Sequence, residues 1–190
     1  MKTVLAKGSG FCQGVRRADE ALNKLIKENE GARIFTLGSI IHNRIYNEAL
    51  EERGVRAISY DEITRILDEC DDRILLIGRT HGITREEEAE LRQLEARYPN
   101  FSFHDMTCPF VKRVHKIADE NTSDDTLFLL YADPGHPEAR STLSHARGEK
   151  LSFSSIGELE NVKFDNKIPI LSAQTTQNLL EFQKIKLFLK

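Results

Sequence analysis

An α/β protein with parallel sheets is the fold class this sequence predicts, and three observations predict it. Short apolar runs recur along the chain. Each is followed by a small or polar turn and then by a charged amphipathic stretch. The whole pattern occurs twice at a nearly constant offset. Strands that alternate with helices lie parallel, because each helix carries the chain back to the same end of the sheet.

Residues 3–6 (TVLA) form the first apolar run, and the turn ending at Cys12 leads into a helical stretch over 14–31. Gly31 sits where a helix end favours a left-handed residue. Residues 34–37 form the second run; the turn from Gly38 to His42 enters a helix over 43–54, closed by Gly54. Ser59 with Glu62 fits the S/T-x-x-E capping box, in which the two residues satisfy each other's backbone N–H groups. It opens the helix-like EITRILDEC, whose Cys70 reads as a packing residue. Residues 74–77 run through Gly78-Arg79-Thr80-His81 into a helix over 83–98, with Thr84 and Glu87 as a second box. Cys108 precedes Pro109, a favoured first helical residue, and so stands at an N-cap. Residues 127–132 are a strand-length apolar run, followed by Gly135-His136-Pro137-Glu138; Ser155 with Glu158 makes a third box. Gln174-Thr175-Thr176 is the last turn.

The repeat is read from shared offsets. Cys108 lies 96 residues after Cys12, and the VRR of 15–17 is matched by the VKR of 111–113. His136 follows His42 by 94 residues, Arg147-Gly148 follows Arg53-Gly54 by 94, and Thr175 follows His81 by 94. The segment 165–168 (DNKI) follows 71–74 (DDRI) by the same 94. Two similar domains are expected, 1–100 and 101–190, with a boundary near Asn100.

Composition excludes several function classes. The chain has 190 residues, with 27 Lys and Arg against 30 Asp and Glu, a net charge of −3. No basic block stands out, which argues against a nucleic-acid surface built on phosphate neutralisation. The apolar runs fall far short of the ~20 residues of a membrane span. The N-terminal residues reach glycine too early for a signal peptide's apolar region. Three widely spaced cysteines are no secreted disulfide framework. A cytoplasmic protein is expected, its cysteines reduced or holding a metal.

Six turns leave strands carrying Cys12, His42, His81, Cys108, His136 with Glu138, and Thr175. In open parallel sheets ligands bind beyond the carboxyl ends of the strands, where helix N-termini offer free N–H groups and partial positive charge. A soft sulfur donor, imidazoles, a carboxylate and a hydroxyl in those turns suit a metal centre beside an anionic substrate. A thiol at a helix start has a lowered pKa, which eases ligation. Glu138, within one turn of His136, is placed to deliver a proton. His104, His115 and His145 fall on strand or helix faces and read as structural.

The motifs SGFCQGVRRA, IIHNRIYNEAL, THGI, DMTCPFVKRVH, GHPE and QTTQ, in this order, resemble the 4-hydroxy-3-methylbut-2-enyl diphosphate reductase (LytB) family. These enzymes close the methylerythritol phosphate route to isoprenoids. The resemblance runs from residue 3 to about residue 180. It implies three similar α/β domains in pseudo-threefold array around a [4Fe–4S] cluster, one cysteine coming from each. By this likeness Cys12 and Cys108 are two of the ligands, and His42, His81 and His136 surround an allylic diphosphate and its hydroxyl end. Glu138 is then the proton source and Thr175 its hydrogen-bonded partner. A small ferredoxin or flavodoxin supplies electrons. A third cysteine, and a Ser-Asn-Ser segment that completes the diphosphate site, have no counterpart here. The expectation is therefore an N-terminal two-domain portion, lacking the third domain and inactive by itself. Ser39, Thr80 and the run Ala139-Arg140-Ser141 depart from the family pattern without removing a functional group. Two other readings stand beside this one. The first is a non-enzymatic two-domain module that binds diphosphate without a cluster. The second is a zinc site using Cys12, Cys108 and a histidine, which the absence of a C-x-x-C makes weak.

Overall fold

The computed structural model describes residues 3–4 and 10–190, so the run at 3–6 lies partly outside the described residues. From Gln13 onward the chain alternates helix and strand: α1 (Gln13–Glu28), β1 (Arg33–Leu37), α2 (Arg44–Glu52), β2 (Val55–Ile58), α3 (Ile63–Glu69), β3 (Ile74–Ile77), α4 (Arg85–Arg97) and β4 (Phe101–His104). The second half continues with α5 (Pro109–Asn121), β5 (Thr126–Tyr131), α6 (Pro137–His145), β6 (Glu149–Phe153), α7 (Ile156–Leu159), β7 (Ile168–Ala173) and α8 (Leu179–Phe188). All strand pairings are parallel, in one sheet of order β2-β1-β3-β4 and another of order β6-β5-β7. The expected α/β class with two small parallel sheets is what the molecule shows.

The central strands read as unbroken apolar runs because helices cover both of their faces. Every residue of β3 and β5 is buried. Alternate residues feed opposite cores. On the first sheet Phe35, Leu37 and Leu76 pack with Leu67 of α3 and Leu91 of α4, while Ile34, Leu75 and Ile77 pack with Ala18 and Leu22 of α1 and Leu50 of α2. On the second, Phe128 and Leu130 meet Val114 and Ala118 of α5, and Leu127 and Leu129 meet Leu159 of α7 and Ile185 of α8. Each fully buried leucine here contributes roughly 2 kcal/mol of transfer free energy. Among the described residues no helix is long and apolar enough to cross a membrane.

The helix ends follow their sequence signals with two adjustments. Thr84 and Glu87 form the reciprocal box, with Glu87 N–H donating to Thr84 Oγ1 at 3.1 Å and Thr84 N–H donating to Glu87 Oε2 at 2.8 Å. Glu62 accepts from both the N–H and the hydroxyl of Ser59. Glu158, however, reaches one residue further back than expected, accepting from the N–H and hydroxyl of Ser154 as well as from Ser155 Oγ. The first helix ends at Glu28 rather than Gly31; Gly31 follows in the left-handed region at φ +83.

The repeat places β4 at the head of the second copy, because β4 leads to Cys108 as residues 3–6 lead to Cys12. In space β4 belongs to the first sheet, pairing with β3 from Ile74↔Phe101 to Ile77↔His104. The crossover through α4 returns the chain alongside β3, as right-handed connections do. The two sheets therefore part after His104, and the chain passes between them through residues 105–108.

Candidate functional site

Both sheets change winding direction at their centre. The connection from β1 runs to β2 on one side, and that from α3 to β3 places β3 on the other, so the loops after β1 and β3 diverge and leave a crevice. The loops after β5 and β7 do the same in the second sheet. Those four loops carry His42, His81, His136 with Glu138, and Thr175.

Each loop is held by its own backbone. Gly38, at φ +65, turns the chain out of β1, and its N–H donates to Ile58 O. Asn43 caps α2 by accepting from Tyr46 N–H, leaving His42 exposed just before the helix. Thr80 is buried and ties three segments together. Its hydroxyl donates to Ile40 O at 3.0 Å, and its carbonyl accepts from Cys108 N–H at 2.9 Å. Gly135, at φ +79, delivers His136 to the N-cap of α6, with Pro137 as the first helical residue.

The three imidazoles meet. Ring centroids are 4.7 Å apart for His42 and His81, 5.4 Å for His81 and His136, and 6.2 Å for His42 and His136. One ligating nitrogen of each ring lies within 4.8 Å of the others. Burial, reinforced by the two neighbouring imidazoles and by Arg79, pushes His81 down to about 4, so this ring is neutral at pH 7. The His136 tautomer follows from its cap. Nδ1 accepts from Glu138 N–H at 3.1 Å, so in the neutral ring Nε2 carries the proton and is a donor. A ring nitrogen that carries its proton suits an anion better than a cation.

Glu138 is 3% exposed, and its carboxylate is gathered entirely by Thr175. Oε1 accepts from Thr175 N–H at 2.6 Å and Oε2 from Thr175 Oγ1 at 2.9 Å. The turn at Thr175 is braced by buried Gln174, whose Oε1 accepts from Asp133 N–H at 3.0 Å.

Cys12 is exposed and Cys108 half-buried; they stand at the N-caps of α1 and α5, and neither is in a disulfide. A Cβ added at Gly14 would lie 2.5 Å from Cys108 Sγ. The sulfur of Cys108 thus rests on the first turn of the helix that Cys12 caps, in space left by a missing side chain. Cys70 lies apart at the end of α3, where Arg33 Nη1 approaches its sulfur at 3.1 Å.

Of the residues singled out from the sequence, the geometry brings together the imidazole triad, the Glu138–Thr175 pair, and Cys108 with the turn beside Cys12. Thr80 and Ser141 stand in the sequence only as departures from the family pattern, since residue type carries no signal of what a hydroxyl bonds. His115 read as structural, and it is buried on α5, hydrogen-bonded to Ser141.

Comparison with known proteins agrees in extent. A family profile described as LytB protein matches residues 3–190. The 4-hydroxy-3-methylbut-2-enyl diphosphate reductase of Campylobacter hominis is 36% identical over 190 residues, covering 100% of this chain and 62% of the relative. The protein of that name from Nitratidesulfovibrio vulgaris (strain Miyazaki F) is 37% identical, covering 100% and 64%. Among solved structures, an (E)-4-hydroxy-3-methyl-but-2-enyl diphosphate reductase described as the terminal enzyme of the non-mevalonate pathway superposes with a TM-score of 0.78 at 28% identity, over 98% of this chain and 62% of that one. The Plasmodium falciparum reductase gives a TM-score of 0.76 at 26% identity, over 95% and 54%. The chain thus spans less than two-thirds of the length of these relatives.

Proposed function

Because the chain belongs to the LytB family, we propose that it supplies two of the three walls of a reductase site for 4-hydroxy-3-methylbut-2-enyl diphosphate, one from each half of an internally repeated chain. The observation that carries this reading is the meeting of His42, His81 and His136 beside the Glu138–Thr175 pair, at the crevices of two abutting sheets.

His136 donates from Nε2 to a diphosphate oxygen, a direction fixed by the Glu138 N–H at Nδ1. Neutral His81 does likewise, and the dipoles of α2 and α6 add partial positive charge at their N-terminal ends. Anchoring the diphosphate holds the far end of the substrate in place, so binding energy is converted into orientation. Glu138 is placed to pass a proton to the allylic hydroxyl so that it leaves as water. Thr175 keeps that carboxyl aimed, and its own hydroxyl stands at the mouth of the pair.

An iron–sulfur cluster fits the donors present. Cys12 and Cys108 would hold it as thiolates. The seat that glycine at position 14 leaves for the Cys108 sulfur supports that role. When bound, such a cluster supplies two electrons one at a time and an iron able to polarise the hydroxyl.

The reading of a diphosphate-binding module without a cluster is favoured by one feature: the imidazole triad is complete within this chain, whereas the thiolates number two. Anaerobic iron–sulfide reconstitution, followed by iron counting, and calorimetry with inorganic pyrophosphate separate the two. Pyrophosphate binding with iron held through Cys12 and Cys108 supports the reductase reading. Pyrophosphate binding with no retained iron supports the module. The 190 residues alone are expected to turn over poorly, and full turnover would refute the assignment of a third wall to the remaining length of the relatives.

A further inference from the structure

Behind the imidazole triad, a buried polar seam joins the two halves of the molecule. Its centre is Ser141 of α6, 1% exposed, whose Oγ is 3.0 Å from the carbonyl oxygen of His81 and 3.0 Å from that of Glu138. His115 of α5 approaches the same Oγ with Nε2 at 3.1 Å. A hydroxyl has one proton, and carbonyl oxygens only accept. The Ser141 proton therefore points to the carbonyls, and His115 fills the oxygen's lone pair as an Nε2–H donor. Burial, the stacked His145 ring and Lys112 push His115 down to about 4, which keeps it in this neutral form. The His145 ring lies 4.2 Å away at 18°, and its Nδ1 is 3.1 Å from Asp119 Oδ2. Beneath the seam, Gly82 has φ +84, and a Cβ there would lie 2.8 Å from His115 Cε1 and 3.0 Å from Ser141 Oγ.

We infer that Ser141, oriented by His115, is a positioning residue: it fixes the His81 backbone of the first half to the helix that carries His136 and Glu138, so that the triad closes as one anion-binding surface. This rests on the diphosphate reading above. The bond to His81 spans 60 residues of sequence. It also lies at the backbone of the one triad member that burial neutralises, so its loss loosens the imidazole rather than a remote turn. Removing the hydroxyl leaves His81 O and His115 Nε2 without this partner.

The test uses the whole 190-residue chain and two readouts: the NMR titration of the His81 Cε1–H, and calorimetric affinity for inorganic pyrophosphate. Ser141→Ala and His115→Leu should each weaken pyrophosphate about ten-fold, as for one lost hydrogen bond. Both should also raise the His81 midpoint by about one unit as the ring gains solvent. His115→Gln, whose amide N–H stands where Nε2–H stood, should restore both readouts to near the starting values. Variants that melt lower yet leave both readouts unchanged would reduce Ser141 to a packing residue and overturn the inference. So would His115→Gln behaving as His115→Leu. If the unaltered chain does not bind pyrophosphate, the diphosphate reading falls, and the His81 titration alone decides the positioning role. If Ser141→Ala does not fold, the contrast between the two His115 variants decides it.

Discussion

Replacing Gly82 by alanine adds one methyl group at a close contact between the two halves. Two costs follow. At φ +84 an L side chain crowds its own backbone, at about 1–2 kcal/mol. The new Cβ also falls 2.8 Å from His115 Cε1 and 3.0 Å from Ser141 Oγ. The His115 ring is stacked on His145 and cannot swing aside cheaply, so overpacking adds about 1–3 kcal/mol. The sum is about 2–5 kcal/mol, or roughly 4–20 °C in melting temperature for a chain of this size. Gly135 provides the internal control, because it has φ +79 with nothing within 4 Å of an added Cβ. Gly135→Ala should therefore lose only the conformational part, about 1–2 kcal/mol. Urea unfolding of the two variants against the parent chain measures the difference. Equal losses within about 0.5 kcal/mol would show that the halves do not press together at Gly82, and the seam described above would lose its physical basis.

His136→Asn should keep the N-cap of α6 and the fold, since asparagine caps well, yet weaken pyrophosphate about ten-fold or more by removing the Nε2 donor, measured by calorimetry. Stability should fall on acidification from pH 6.5 to about 4. His81 and His115 have depressed folded-state midpoints, so in that window the unfolded chain binds the extra protons. Urea midpoints across a pH series, with His81→Gln reducing the slope, check this. After anaerobic reconstitution, Cys12→Ser and Cys108→Ser should each lose bound iron and visible absorption, while Cys70→Ser should not. Free Cys12 should be alkylated faster than Cys108, in line with their exposure.

The turns that bear function were legible because each lies at the carboxyl end of an apolar run, where glycine, a capping residue or Pro109 announces a helix. The Glu138–Thr175 pair came from the family resemblance, since the offsets match Thr175 with His81 and not with Glu138. What stayed hidden is long-range. That His42 meets His81 depends on β1 lying beside β3, and that both meet His136 depends on how two sheets abut, neither of which periodicity encodes. The place of β4 is hidden for a related reason: sequence order sets it before Cys108, whereas hydrogen bonding sets it beside β3. Thr80, Ser141 and His115 form their bonds through common residue types across 26 to 60 positions, and local pattern carries no trace of such partners.

Because β4 completes the first sheet while α5 packs on the second, the backbone crosses from one half to the other at Cys108. That thiol lies close to the pin of a door whose leaves bear His42 and His81 on one side and His136 on the other. Rocking the leaves by a few degrees changes the gap between imidazoles, far from the pin, much more than the seat of the sulfur against Gly14. With hydrogen bonds from Ser141 to His81 O and from the Cys108 N–H to Thr80 O astride that pin, the angle between the leaves sets the spacing of the three rings.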